Sequence, residues 1–245
     1  MSRVIAGQRA VIEALRGGGA RNLSVVYVSD RLKGIPDEVE SLAEKARVRV
    51  EYLGAEAIDS LAEGLRHQGI IAIGGEFLYW ELNSLLEELP EKPLLVALDE
   101  ITDPHNFGAI IRSAVAMGVD GLITLKRRAA PVTPVVVRAS TGATEHARIA
   151  RVTNLARTLT ALADSGFEII GLAGEAEQNL MDLRPAVAGR VLVIGSEGRG
   201  MRRLVRERCT ELVRIELAGP VESLNASVAA GIAIFASQAQ RRGDS

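Results

Sequence analysis

The apolar positions of this chain follow two rhythms. Over the first 75 residues, short apolar runs alternate with helically spaced ones. Val4, Ile5, Val11, Ile12 and Leu15 predict a helix over 4–17, closed by Gly17-Gly18-Gly19. A strand follows at Leu23–Val28, then a helix near Asp37–Arg47 entered through Pro36, which suits a first helical turn. A strand Val48–Leu53, a helix Ala55–Leu65 and a strand Ile70–Ile73 complete an αβαβαβ block, a small domain over 1–75 with a three-layer core. Residues 76–92 change character. An aromatic group, Phe77, Tyr79 and Trp80, precedes an acidic helix that ends at two prolines, as expected of a partly helical linker.

From Pro93 onward the pattern is a regular strand–helix alternation. Pro93–Leu98, Gly121–Leu125, Phe167–Leu172, Val191–Ile194 and Leu212–Leu217 read as buried strands, and His105–Met117 and Asn154–Asp164 as helices. The expectation for 93–245 is a doubly wound α/β domain with a mostly parallel sheet. Its organising stretch is Glu211–Ala236: a strand, a break at Ala218-Gly219-Pro220, and a helix from about Ser223, with Ser223 as its N-cap. Ala226, Val228, Ala229, Ala230, Ile232, Ala233, Ile234 and Phe235 predict that this helix is buried on nearly all sides.

Composition narrows the function classes. The 245 residues carry a net charge of −2, so no global basic field announces a nucleic acid, although local patches can. Four of the 29 cationic residues are lysines and the other 25 arginines, whose forked guanidinium suits phosphate, although genomic base composition accounts for the same bias. Arg3, Arg9, Arg16, Arg21, Arg31 and Arg66 read as basic surface on the first block. The single cysteine, Cys209, allows no disulfide within the chain and fits a reducing compartment, so the expected location is the cytoplasm. His67, His105 and His146 show no ligand spacing, so no metal is expected. No apolar run reaches the roughly 20 residues of a membrane helix, and no membrane partner is expected.

In an open parallel sheet, ligands bind beyond the carboxyl ends of the strands. Three loops there carry chemistry. The first is Asp99–Gly108, leading into a helix with Arg112. Asp103 or Asn106 as an N-cap explains either residue, but a cation in the middle of an apolar helix calls for an anionic partner. The spacing of Asn106 and Arg112 suggests that both point to one side. The second loop is Gly195-Ser196-Glu197-Gly198-Arg199-Gly200, before a basic stretch with Arg202 and Arg203. Its glycines match neither a dinucleotide fingerprint nor a P-loop, and Glu197 would repel a pyrophosphate. The third holds Ser223, Asn225 and Ser227 at the mouth of the last helix.

The segments NFGAIIR, IGSEGRGM and SLNASVAAGIAIF resemble, in order, the three motifs of the SPOUT superfamily in its SpoU/TrmH branch of RNA ribose 2′-O-methyltransferases. HQGI (67–70), LDEITDPHNFGAIIRSA (98–114), RVTNLARTL (151–159) and GRGMRRL (198–204) are similar to the bacterial 23S rRNA guanosine 2′-O-methyltransferases of the RlmB type. The resemblance implies an L30e-like RNA-binding domain over 1–75, a linker 76–92, and a domain over 93–245 that binds S-adenosylmethionine in a C-terminal trefoil knot. It implies a homodimer acting on 23S rRNA at a guanosine of the peptidyl-transferase P-loop. Sister enzymes of transfer RNA or another ribosomal site, or a catalytically silent relative, are the alternatives. By the same resemblance the catalytic set is Asn106, Arg112, Glu197, Ser223 and Asn225. Gly195, Ile215, Leu217 and Leu224 would meet the methyl donor, and Arg9, Arg127, Arg128, Arg202 and Arg203 would meet RNA.

Overall fold

The structure, a computed structural model, describes residues 3–17, 22–32 and 34–243. Residues 18–21, including two glycines expected to close the first helix, lie outside them. Contacts divide the chain into two units, 1–78 with 131–146, and 79–130 with 147–245.

The first unit holds a four-stranded sheet of β1 (Arg3–Ala6), β2 (Leu23–Ser29), β3 (Arg49–Leu53) and β4 (Ile70–Gly74), in the order β1-β4-β2-β3. β4 runs antiparallel to both of its neighbours, and β2 and β3 are parallel. The helices are α1 (Gln8–Arg16), α2 (Asp37–Ala46) and α3 (Ala55–Leu61). Side chains alternate between the two faces of the sheet. Ile5, Val26, Val28, Ile70 and Ala72 join Val11, Leu15, Val39 and Ala43 in one core. Ala6 and Ile71 join Ile58 and Ala62 in the other, with Tyr27 and Ile73 packed against it. The helix expected over 4–17 is a strand and a helix. Gly7, at φ +100, breaks the chain between them, and Val4 and Ile5 pair with Ile73 and Ala72.

Residues 131–146 belong to this first unit, although they lie within the segment that the sequence reads as the later domain. They form α4 (Pro134–Ala139), capped by Thr133, and a 3₁₀ turn Ala143–Glu145. Val137 enters the core beside α1. Arg3, expected on the surface, is 6% exposed and donates to both carboxylate oxygens of Glu145 at 2.8 and 3.1 Å. Thr144 Oγ1 donates to the same carboxylate, and His146 pairs with Glu13 at 2.8 Å. Gly142 lies at φ +84, and a Cβ there would meet the Glu13 side chain at 2.8 Å, so both backbone and space demand glycine.

The second unit is built on a seven-stranded sheet in which every pairing is parallel. Its strands are β5 (Leu94–Leu98), β6 (Gly121–Leu125), β7 (Ile149–Val152), β8 (Phe167–Leu172), β9 (Gln178–Asn179), β10 (Gly189–Ile194) and β11 (Glu211–Arg214), in the order β7-β6-β5-β10-β8-β11-β9. Sequence patterning misses β7 and β9, which are short, and carries β11 three residues too far. Its helices are α5 (Leu82–Glu87), α6 (Pro104–Met117), α7 (Leu155–Asp164), α8 (Arg203–Arg206) and α9 (Ala226–Gly243). On one face Leu95, Ala97, Val191 and Val193 pack with Leu85, Leu155, Leu159 and Val205. On the other, α6 and α9 pack on each other and α9 on β10. Adjacent β5 and β10 therefore send their following helices to opposite faces. That is the crevice where an open α/β sheet takes its ligand.

α9 is not buried all round. Ala230, Ala233, Ile234 and Ala236 face the core, while Val228, Ile232 and Phe235 are 49, 38 and 66% exposed. The spacing of four and then three residues lines these up as one apolar stripe.

Candidate active site

The crevice is built by three loops, and each begins with backbone chemistry. After β5, Asp103 caps α6 by accepting from the backbone N–H groups of His105 and Asn106, and Pro104 sits in the first turn. That cap leaves the Asn106 side chain for other work. Asn106 is 8% exposed, and its Nδ2 donates to Glu197 Oε1 at 3.0 Å.

After β10, residues 195–201 fold back on themselves. Ser196 and Gly200 exchange two backbone hydrogen bonds, at 3.1 and 2.9 Å. A Cβ on Gly195 would lie 2.2 Å from the carbonyl carbon of Gly200, so only glycine lets the two strands of the loop cross. Gly198 and Gly200 adopt φ +73 and +65. The loop's own folding thus accounts for its glycines, and Glu197 is the residue it presents.

After β11 the chain leaves the sheet. Among the described residues, no backbone–backbone hydrogen bond involves residues 215–224. α9 then starts at Ala226, and its cap is Asn225 rather than Ser223. Asn225 Oδ1 accepts from the N–H groups of Ser227 and Val228 at 2.9 and 3.3 Å and from Ser227 Oγ at 2.6 Å. Its Nδ2 donates to Asn106 Oδ1 at 2.8 Å and also to Glu197 Oε1. Ala226 N–H reaches the same Glu197 oxygen at 3.2 Å. One amide therefore both caps a helix and ties two other loops together. Glu197 Oε1 collects three donors at the positive end of α9, and its Oε2 has no partner among the described residues.

The structure thus gathers Asn106, Glu197 and Asn225 into one network. Ser223 is exposed and stands outside it. Arg112 also stands outside. It is exposed rather than buried, with no hydrogen bond or ion pair among the described residues. Six residues of helix turn through about 600°, which leaves Arg112 about 120° from Asn106. It shares the exposed side of α6 with His105 and Ala116. Arg202, expected to meet RNA, is drawn inward. Its backbone N–H and Nε donate to the two oxygens of Asp99, each at 2.8 Å, and Asp99 is fully buried. Asp99 had no expected role; a carboxylate directly after an apolar strand was the available signal. Arg9, Arg127, Arg128 and Arg203 are exposed, with Arg203 paired to Glu207 and Arg128 to Glu100. Gly195, Ile215, Leu217 and Leu224 are each half-buried. Burial pushes the Cys209 thiol up to about 12, which removes it as a nucleophile.

The profile of the SpoU rRNA methylase family matches residues 93–235, the span that holds all three loops. The chain belongs to that family. It is an RNA methyltransferase, and a second profile, RNA 2′-O ribose methyltransferase substrate binding, matches residues 4–80. Among SpoU relatives it is 40% identical to the 23S rRNA (guanosine-2′-O-)-methyltransferase RlmB of Photobacterium profundum, over 98% of both chains. It is also 40% identical to an uncharacterised tRNA/rRNA methyltransferase of Mycobacterium avium, over 99% of this chain and 79% of that one. The SpoU methyltransferase AviRb from Streptomyces viridochromogenes, solved in complex with AdoMet, superposes with a TM-score of 0.81 at 25% identity. That match covers 99% of this chain and 91% of AviRb. An AdoMet-bound rRNA methyltransferase from Sinorhizobium meliloti gives 0.80 at 26%, covering 97% and 87%.

Proposed function

We propose that this SpoU protein transfers a methyl group from S-adenosylmethionine to the ribose 2′-hydroxyl of a guanosine in 23S rRNA, in the peptidyl-transferase P-loop. The Asn106–Glu197–Asn225 network at the carboxyl ends of β5 and β10 carries the reading. The choice of 23S rRNA rests on relatives of that name at about 40% identity over nearly the whole chain.

The segment 215–224 fits the donor. A purine needs N–H and C=O partners at its edge and apolar groups at its face. Among the described residues the backbone of this segment is not engaged by other backbone, and its Ile215, Leu217 and Leu224 are half-buried. Those residues, with Gly195, would hold the donor, which supplies a methyl group on a cationic sulfur that departs as a neutral thioether. The last segment passing through the 195–201 loop would form the trefoil knot, and the block 1–75 would be the L30e-like RNA-binding domain. The single cysteine suits action in the cytoplasm.

In the reaction the 2′-oxygen forms its bond to the methyl carbon as the carbon–sulfur bond breaks, and the hydroxyl proton passes to water or a phosphate. Charge develops on the 2′-oxygen and must be met by a donor already in place. Arginine stays protonated in proteins, so Arg112 would hydrogen-bond that oxygen rather than take its proton. Arg112 points away from the network of its own chain. It therefore acts in the network of a second copy, and the exposed stripe Val228, Ile232 and Phe235 is the surface a homodimer would bury. Asn106 and Asn225 keep Glu197 in place, and Glu197 Oε2 remains for a ribose hydroxyl. Arg9, Arg127, Arg128 and Arg203 would meet phosphates.

Incubation with labelled S-adenosylmethionine and protein-free 23S rRNA lacking the modification, followed by nucleotide mapping, tests this reading. One 2′-O-methylguanosine in the P-loop is the expected product. Transfer to tRNA instead would overturn the substrate and keep the chemistry. Failure to bind the donor would overturn both.

A further inference from the structure

The Glu197 loop is closed at both ends by one residue. Asp99 follows β5, and its backbone N–H donates to the carbonyl of Ile194, the last residue before the loop, at 2.8 Å. Its side chain takes the other end. Oδ2 accepts the backbone N–H of Arg202 at 2.8 Å, while Oδ1 accepts Arg202 Nε at 2.8 Å and lies 2.6 Å from Nη2. Asp99 is fully buried, so both oxygens are spent on a single residue, and a buried carboxylate without that partner would be strongly disfavoured. Arg202 also lies 3.5 Å from Glu100 Oε1, and Glu100 holds the left-handed conformation at φ +58. Between the two anchored ends lie only residues 195–201, drawn together by the Ser196–Gly200 pair, and Glu197 sits among them.

We propose that Asp99 and Arg202 are positioning residues for methyl transfer: their ion pair fixes the loop that presents Glu197 to Asn106 and Asn225. Arg202 is thereby assigned to the interior of the site and not to an RNA phosphate. The inference rests on the reading of that network as the active site. Neither residue touches the network. They act through the loop, and a misplacement of about 1 Å in a catalytic group costs on the order of 100-fold in rate.

Amide hydrogen exchange and steady-state methyl transfer, on the wild type and on Arg202→Lys, test the proposal together. Lysine keeps the charge and the backbone N–H but loses the fork. Exchange at Ser196 and Gly200 is expected to speed up in the variant. Its kcat is expected to fall by about 10- to 100-fold with the RNA KM within about twofold, since no phosphate contact is lost. The salt dependence of RNA binding is expected to keep its slope. In a Glu197→Gln background the same change should add little, because both act on one group. A second variant, Asp99→Asn with Arg202→Gln, removes both charges together, and the same pattern is expected if the single change prevents folding. Unchanged exchange overturns the proposal. So does a raised RNA KM with a salt slope shallower by about one, or a loss that multiplies fully with that of Glu197→Gln. Faster exchange in a variant of a wild type that methylates no RNA keeps the clamp and sinks the catalytic reading instead.

Discussion

Asn225 does two jobs that substitution can separate. Its carbonyl oxygen caps α9, and its amide nitrogen binds Asn106 and Glu197. Asn225→Ala loses both. The cap alone is worth about 1 kcal/mol, which lowers the melting temperature by roughly 2–4 °C in a protein of this size. Asn225→Ser restores a capping oxygen but supplies no amide donor. Thermal melts of the Ser variant should return near the wild type, while methyl transfer stays as low as in the Ala variant. Equal recovery of both would show that the residue is only a cap. The sequence points to Asn106, Glu197 and Asn225 because polar residues stand just after buried strands or at the head of an apolar helix. It does not reveal which oxygen caps α9, since Ser223 and Asn225 are both good caps and only the backbone path after β11 decides. Nor does it reveal that Arg112 faces outward, because an apolar helix surface reads the same whether its own chain or another copy covers it. Arg202 misleads for a related reason. An arginine in a basic stretch looks solvated until its buried partner, 103 residues earlier, is seen.

At the scale of elements, β5, α6, β6, α7 and β8 are legible because their apolar runs are long and bounded by Gly, Pro or Asn. β1 and β7 are not. Each has four residues, and their pairing with distant strands, not local propensity, makes them strands. α9 shows the cost of reading periodicity alone: its apolar residues serve two surfaces at once. The outer stripe carries a prediction. Burying a side chain such as Phe235 contributes about 1.5–3 kcal/mol, so Phe235→Glu should convert the proposed dimer to a monomer in light scattering and abolish methyl transfer, with the melting behaviour of the isolated chain little changed. A wild-type monomer would contradict the assignment. In the first unit the buried Arg3–Glu145 pair predicts an asymmetry. Removing one partner, as in Arg3→Met, leaves an uncompensated charge and costs about 3–5 kcal/mol. Arg3→Met with Glu145→Met should recover much of that loss in denaturant titrations. Equal loss in the single and double variants would show that packing, not charge, matters there.

The chain as a whole divides its labour between a mixed sheet of four strands, matched by the substrate-binding profile, and a parallel sheet of seven, matched by the methylase profile. The alternation of strands and helices is readable along most of the sequence. The passage of residues 131–146 into the first unit is not, because their partners Arg3 and Glu13 lie more than 130 residues earlier. The assembly proposed here makes one claim that a mixture of impaired chains can decide: the network of one copy works with Arg112 of another. Arg112→Ala and Glu197→Gln chains, each strongly impaired alone, are to be co-expressed with different tags and the mixed dimers assayed for methyl transfer to 23S rRNA. A mixed dimer holds one site with both residues intact and one with neither, so purified mixed dimers should recover about half of the wild-type activity per dimer. If the mixed dimer forms and stays inactive, Arg112 does not act across two copies, and the account of the active site is wrong.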